Sequence, residues 1–171
     1  MIVFPNAKIN IGLRILRKRG DGYHDIESVF YPVGLTDMLE ILPNHAFLND
    51  DKAEISVSGI EAPATTKNLS VKAAHLFRDR MGTPEVRIHL HKKIPMESGL
   101  GGGSSDAAFT LMAMNEMFGG GLTEEVLHKY ASEIGSDCPF FILNRPCLVN
   151  GKGDILEPID LSLEGYHLVI V

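Results

Sequence analysis

Cysteine is scarce in this chain of 171 residues: Cys138 and Cys147 are the only two, and they match no metal-ligand spacing. A disulfide scaffold and a zinc site therefore lack support, and reduced thiols in a cytoplasmic protein are the expectation. Positive charge is also in deficit, with a formal net charge of -6 and a pI near 5.6. A nucleic-acid partner demands a basic footprint, so none is expected. No apolar run approaches the length of a bilayer span, and no charged segment followed by an apolar one opens the chain, so neither a membrane partner nor export is expected. Internal repeats, low-complexity tracts and linkers are absent as well. What remains is an ordinary globular composition, 44% hydrophobic and 22% charged. At this length one domain would bury roughly 70% of the surface exposed by its unfolded chain.

Periodicity places the elements. Ile9, Ile11, Leu13 and Ile15 alternate with Asn10, Gly12 and Arg14, the pattern of a half-buried strand, so Lys8, Asn10 and Gly12 would share its polar face. The basic run Arg14, Arg17, Lys18 and Arg19 follows, either a solvated loop or a local anion attractor. Strands are expected at Ala53 to Val57 and Val86 to Leu90. Between them Asn68 caps a helix with a stripe of Leu69, Ala73, Leu76 and Phe77. A second helix begins in Ser104, Ser105 and Asp106 and runs to the breaker Gly119 to Gly121. A third starts at Thr123, buries Leu127, Tyr130, Ala131 and Ile134, and stops at Gly135. Phe140 to Leu143, Cys147 to Val149 and Tyr166 to Val171 read as strands, with a turn at Asn150 and Gly151.

Gly99, Gly101, Gly102 and Gly103 fall between a strand and a helix, where backbone N–H groups and the helix dipole converge, so an anion fits there. Glycine lets the main chain approach phosphate oxygens, and Ser104 and Ser105 add hydroxyl donors. The two commonest phosphate motifs do not fit: the required Lys of GxxxxGK[ST] is missing, and GxGxxG begun at Gly99 meets Ser104 in place of its last glycine. A flexible loop that merely caps a helix stays open as an alternative. His89 and His91, with Arg87, share a strand face with spacing that could hold a metal if a third ligand were supplied, but an exposed face is the simpler account. Met112, Met114 and Met117 read as core filler.

PMESGLGGGSSDAA, Pro95 to Ala108, resembles the phosphate loop of the kinase superfamily that includes galactokinase, homoserine kinase, mevalonate kinase and phosphomevalonate kinase. NAKINIGL at Asn6 to Leu13 and RGDGYHDIESVF at Arg19 to Phe30 agree, and with the triple glycine they are similar to the branch that phosphorylates a cytidine-diphosphate-linked alcohol on a route to isoprenoids. The resemblance implies an α+β domain of the ribosomal-protein-S5 domain 2-like type, a mixed sheet packed against helices. It implies ATP and Mg2+ as cofactors and a small-molecule substrate. Lys8 and Asp137, the latter in GSDCPFF, would be the catalytic pair, with Asp137 taking the proton of the attacking hydroxyl. Asn10 would orient the substrate, and Tyr23 and His24 would contact the cytidine base. ATP would meet Asn68, Lys93, Pro95, Gly99, Leu100, Gly101, Gly102, Gly103, Ser104 and Ser105. No protein ligand of magnesium is assigned.

Read without the resemblance, Asp137 is a capping or turn aspartate, Lys8 a surface lysine and Tyr23 a half-buried aromatic. Glu97 and Ser98 stand where many members have small residues, and a carboxylate beside a phosphate loop helps only if it points to solvent or toward magnesium. The superfamily has a second, C-terminal domain. Residues 1–171 are expected to be the ATP-binding N-terminal domain, truncated within the apolar run Leu168 to Val171, with the C-terminal domain missing as its partner. Two further readings stay open: another kinase of the superfamily, or a noncatalytic nucleotide-binding module.

Overall fold

A computed structural model describes residues 1–44 and 54–170. Within these residues the strands divide between two four-stranded sheets. One contains β1 (Ile2–Val3), β4 (Met38–Pro43), β5 (Glu54–Gly59) and β6 (Val86–Lys92) in the order β1-β4-β6-β5, with β5 parallel to β6 and the other pairs antiparallel. The other is antiparallel and contains β2 (Asn6–Lys18), β3 (His24–Thr36), β7 (Cys147–Asn150) and β8 (Ile155–Pro158) in the order β2-β3-β7-β8. Among the described residues four helices complete the α+β fold: α1 (Leu69–Met81), α2 (Gly102–Met117), α3 (Glu124–Ile134) and α4 (Cys138–Leu143).

Local chemistry accounts for most helix ends. Asn68 caps α1 by accepting from the Ser70 N–H at 2.9 Å, and Gly82, at φ 64°, closes it in the left-handed region. Thr123 caps α3, whose first turn carries Glu124 and Glu125 against the helix dipole, and Gly135 ends it. A parallel pair needs a crossover, and α1 supplies it between β5 and β6. The inward residues Val86, Ile88 and Leu90 of β6 join Leu39 and Ile41 of β4, Phe77 of α1 and Leu111 and Met114 of α2 in one core. Helix α2 touches α1, α3, α4, β2 and β4, so it is buried on most sides. Met112 and Met117 pack against the same core, as expected of filler.

Three expectations are corrected. Phe140 to Leu143 is helix, not strand: Pro139 lies in the first turn of α4, and Cys138 through Ile142 are all buried. An unbroken apolar run has no period to separate the two states. A helix seated against α2 and α3 buries every one of these side chains, at about 2 kcal/mol for each large one. Phe140 then stacks edge-on with both Phe30 and Phe141, at centroid distances of 5.4 and 5.1 Å. Second, residues 166–170 form no strand. They stay exposed, because a strand needs a ladder partner and none pairs with them among the described residues. The other end of that run, Val171, lies outside the described residues, as does Ala53.

The third concerns β2, which is strand as expected but not with one apolar stripe. Gly12, at φ 67°, is an extra residue: Ile11 pairs with Val29 while Leu13 pairs with Ser28. The bulge moves Leu13 and Ile15 to the face that holds Lys8 and Asn10, and both are exposed. On either side of a second shift near Leu16 the basic run is paired within the hairpin, Arg14 with Glu27 before it, and Arg17 with Asp25 and Arg19 with Asp21 and Asp25 after it. That favours the solvated reading over an anion attractor. Strands β3, β4 and β8 have no counterpart in the periodicity. Pro32 and Gly34 interrupt the pattern of β3.

Candidate active site

The glycine-rich loop joins β6 to α2 and wraps over the start of β2, where the Lys8 N–H donates to the Leu100 carbonyl at 2.9 Å. The helix begins earlier than its serines suggested. Gly101, left-handed at φ 72°, occupies the capping position, and Gly102 is the first helical residue. Unlike α1 and α3, α2 receives no side-chain cap bond, and unlike α3 it has no acidic residue in its first turn. The amides of Gly102, Gly103 and Ser104 thus lack intrahelical acceptors, an arrangement complementary to an anion. They open on a cleft of about 270 Å³ lined also by Lys8, Leu69, Pro95, Met96, Glu97, Ser98, Gly99, Gly101 and Asp137.

Lys8 is 4% exposed, although the sequence alone would leave it on the surface. Its ammonium donates to Asn10 Oδ1 at 2.7 Å, stands 3.4 Å from Asp137 Oδ2 and lies over the Phe30 ring at 4.2 Å. Asp137 precedes α4 yet makes no capping bond to it, so its carboxylate is free of the role a turn aspartate would have. The fold therefore joins Lys8, Asn10 and Asp137 with the loop.

Other expected site residues are distributed differently. Tyr23, 55% exposed, lines a neighbouring cavity of about 340 Å³ with Gly135, Ser136 and Lys152, on the far side of the segment that carries Asp137. The Lys152 ammonium sits 5.4 Å from the Tyr23 ring centre, and His24 is exposed at the start of β3. Asn68 has both ends of its amide engaged, accepting from Ser70 N–H and donating to the Pro63 carbonyl at 2.9 Å. It borders a small cavity of about 70 Å³ behind Gly103. Lys93 is exposed at the entry to the loop and Leu100 is buried beneath it. Glu97 adopts a left-handed φ of 56° on the exposed rim of the cleft. His89 and His91 are half-buried and hydrogen-bond to Ser56 and Ser58 of β5, and no cluster of three metal-ligating side chains occurs among the described residues.

Sequence reasoning missed Lys92, Asp37 and Asp106, which meet in the interior under the loop. A signal existed: Lys92 continues the inward alternation Val86, Ile88, Leu90 of β6. Burial outweighs the adjacent Lys92 ammonium and pushes the Asp106 carboxyl up to about 7. The hydroxyl of Ser105 is buried with no hydrogen-bond partner in the described structure.

Cys138 lies against the Ser104 hydroxyl, and burial pushes its thiol up to about 11; burial also raises that of Cys147. A raised thiol pKa makes the reactive thiolate scarce at pH 8, and both sulfurs lie in fully buried residues. In native protein at pH 8, neither cysteine is expected to react measurably with iodoacetamide within an hour, and both are expected to react in denaturant. Mass spectrometry of the alkylated peptides checks this.

An uncapped helix start thus faces a buried lysine and the carboxylate of Asp137 in one cleft. Residues 68–145 match the GHMP kinases N terminal domain. That match spans 78 of the 171 residues. Curated relatives are 4-diphosphocytidyl-2-C-methyl-D-erythritol kinases: that of Bacteroides fragilis is 51% identical over the whole of this chain, and that of Parabacteroides distasonis 46%. A crystal structure of 4-(cytidine 5'-diphospho)-2C-methyl-D-erythritol kinase superposes with a TM-score of 0.78 at 35% identity, covering 95% of this chain and 56% of the other. Mevalonate kinase of Methanococcus jannaschii shares the fold, at a TM-score of 0.65 and 15% identity, covering 94% of this chain and 56% of the other. The chain spans 62% of the length of the Bacteroides fragilis relative and 61% of the Parabacteroides distasonis one. No helix among the described residues is long and apolar enough to cross a membrane.

Proposed function

We propose that the protein of which this chain is the ATP-binding N-terminal domain transfers the γ-phosphoryl group of ATP to the 2-hydroxyl of 4-diphosphocytidyl-2-C-methyl-D-erythritol, in isoprenoid synthesis in the cytoplasm. The observation that carries the reading is the Lys8–Asp137 pair, 3.4 Å apart, in the same cleft as the uncapped start of α2. Phosphoryl transfer needs little covalent help from protein: it needs phosphates held in place, developing charge compensated and a nucleophile aligned. The α2 amides would hold the phosphates. Asp137 would accept the proton of the attacking hydroxyl, and the buried Lys8 ammonium would hold that carboxylate in place and offset charge on the transferring group. Asn10, bonded to Lys8, fixes the direction of the ammonium.

Magnesium would arrive on the nucleotide. The donors here suit an ion that keeps most of its shell from phosphate and water, with Glu97 on the rim and the Asp137 carboxylate among the protein oxygens that line the cleft. It would neutralise phosphate charge. Tyr23 and His24 would receive the cytidine base, the ring of Tyr23 by stacking. The exposure of Tyr23 supports a pocket whose other wall comes from the part of the relatives that this chain does not span.

A coupled assay of the full-length protein with 4-diphosphocytidyl-2-C-methyl-D-erythritol, homoserine and mevalonate is expected to give turnover with the first at least about a hundredfold above the others in kcat/KM, since losing a base-binding subsite removes several kcal/mol. Equal or greater turnover of homoserine or mevalonate would overturn the substrate assignment. The openness of the Tyr23 side also favours a second reading for the 171-residue chain by itself, nucleotide binding without efficient catalysis. Its turnover is expected to fall below about 1% of the full-length rate in the same assay, because half-built pockets forfeit the alignment that catalysis requires.

A further inference from the structure

Three charged side chains meet out of solvent below the glycine-rich loop, apart from the proposed catalytic pair. Lys92, the last residue of β6, is 1% exposed. Its ammonium donates to Asp37 Oδ2 at 2.5 Å and to Asp106 Oδ2 at 2.9 Å. Asp37 is the residue between β3 and β4, and its other oxygen accepts the backbone N–H groups of Lys93 at 2.5 Å and Ile94 at 2.9 Å. Asp106 belongs to the second turn of α2.

The places where these groups attach to the chain give the cluster its meaning. The loop enters through Lys93 and Ile94, which Asp37 holds, and leaves into α2 through Asp106. Both carboxylates bond the same ammonium. That ammonium also lies 3.1 Å from where a Cβ on Gly102 would stand, so the first helical residue rests on it. Packing alone does not require a charge here, since the preceding inward positions of β6 are Val86, Ile88 and Leu90. An apolar side chain would fill the space without the desolvation cost of a buried ion. What a three-way ion pair adds is directional: it fixes one angle and one height of α2 relative to β6.

We propose that Lys92 is a positioning residue for the nucleotide phosphates. The Lys92–Asp37–Asp106 clasp closes the base of the loop and holds the amides of Gly102, Gly103 and Ser104 in the geometry that receives the anion. The inference rests on reading this loop as a polyphosphate site.

Lys92→Met alone leaves two carboxylates facing each other in the interior, and that variant is expected to melt far below the parent. The decisive protein is therefore the double variant Lys92→Met/Asp106→Leu, in which Asp37 keeps its two backbone hydrogen bonds. By calorimetry on the 171-residue chain, it is expected to bind MgATP at least about tenfold more weakly while melting within about 5 °C of the parent. Hydrogen exchange at the amides of Gly99 to Ser104 should accelerate in the ligand-free state. Asp106→Asn, which keeps an oxygen for Lys92, should hold affinity within about threefold of the parent where Asp106→Ala does not. This pair of variants decides the matter if the double variant does not fold. MgATP affinity and loop exchange equal to the parent in a folded variant would overturn the proposal. If the unsubstituted chain binds no MgATP, the polyphosphate reading fails instead, and loop exchange alone then upholds or overturns the clasp.

Discussion

Asp137→Asn in the full-length protein is expected to lower kcat by about three orders of magnitude while the Kd for MgATP stays within about twofold. The substitution keeps the size and shape of the side chain and removes its capacity to take a proton. Because the Asp137 carboxylate makes no capping bond to α4, the change should leave the helix in place. The phosphates would be held by the loop amides and not by this carboxylate, so nucleotide affinity has little reason to move. Lys8 loses a charged partner in the variant but retains Asn10 and the face of Phe30, which limits the cost of leaving its ammonium buried. Steady-state rates and calorimetry with ATP separate the two effects. A kcat within tenfold of the parent would mean that Asp137 is not the base and that Lys8 acts through charge alone.

The parts of this molecule legible in the sequence are those decided by neighbours in the chain. Asn68, Thr123 and Gly135 end helices through bonds to residues no more than four positions away, so pattern suffices to find them. The glycine loop is legible for the same reason: strand, glycines and helix start follow one another. By contrast, Lys8 and Asp137 stand near opposite ends of the chain, and only the folding of β2 against the α3–α4 junction brings them within 3.4 Å. Nothing in the spacing of either residue reveals that pairing; the resemblance of their motifs did. Gly12 defeated the period of β2 because a bulge is invisible to a strict alternation, and Phe140 to Leu143 defeated it because a run buried on every side has no alternation to read. Asp106 was hidden in another way. It lies on a buried ridge of α2 with Thr110, and an aspartate near a helix start is ordinarily taken for a cap.

Gly101→Val is expected to damage both the fold and the site, and Gly99→Ala shows why the two glycines are unequal. Each has a left-handed φ, 72° at Gly101 and 77° at Gly99, where a Cβ costs about 1–2 kcal/mol. At Gly99 nothing lies within 4 Å of an added Cβ, so the backbone term is the whole cost. At Gly101 the Cβ would stand 2.8 Å from Phe141 Cζ and 3.1 Å from Lys8 Cγ. Phe141 is fully buried in the core and cannot withdraw without opening a void, so overpacking adds about 1–3 kcal/mol. The sum, about 2–5 kcal/mol, should lower the melting temperature by roughly 5–15 °C in a domain of this size. Relief through the loop would swing the Gly102 and Gly103 amides away from the phosphate. Losing two hydrogen bonds to a charged group, at about 1.5–3 kcal/mol each, weakens MgATP binding by about two orders of magnitude or more. Gly99→Ala should melt within about 5 °C of the parent and keep ATP affinity within about tenfold. Equal losses in the two variants would mean that backbone strain, and not the contact of Gly101 with Phe141 and Lys8, fixes the loop.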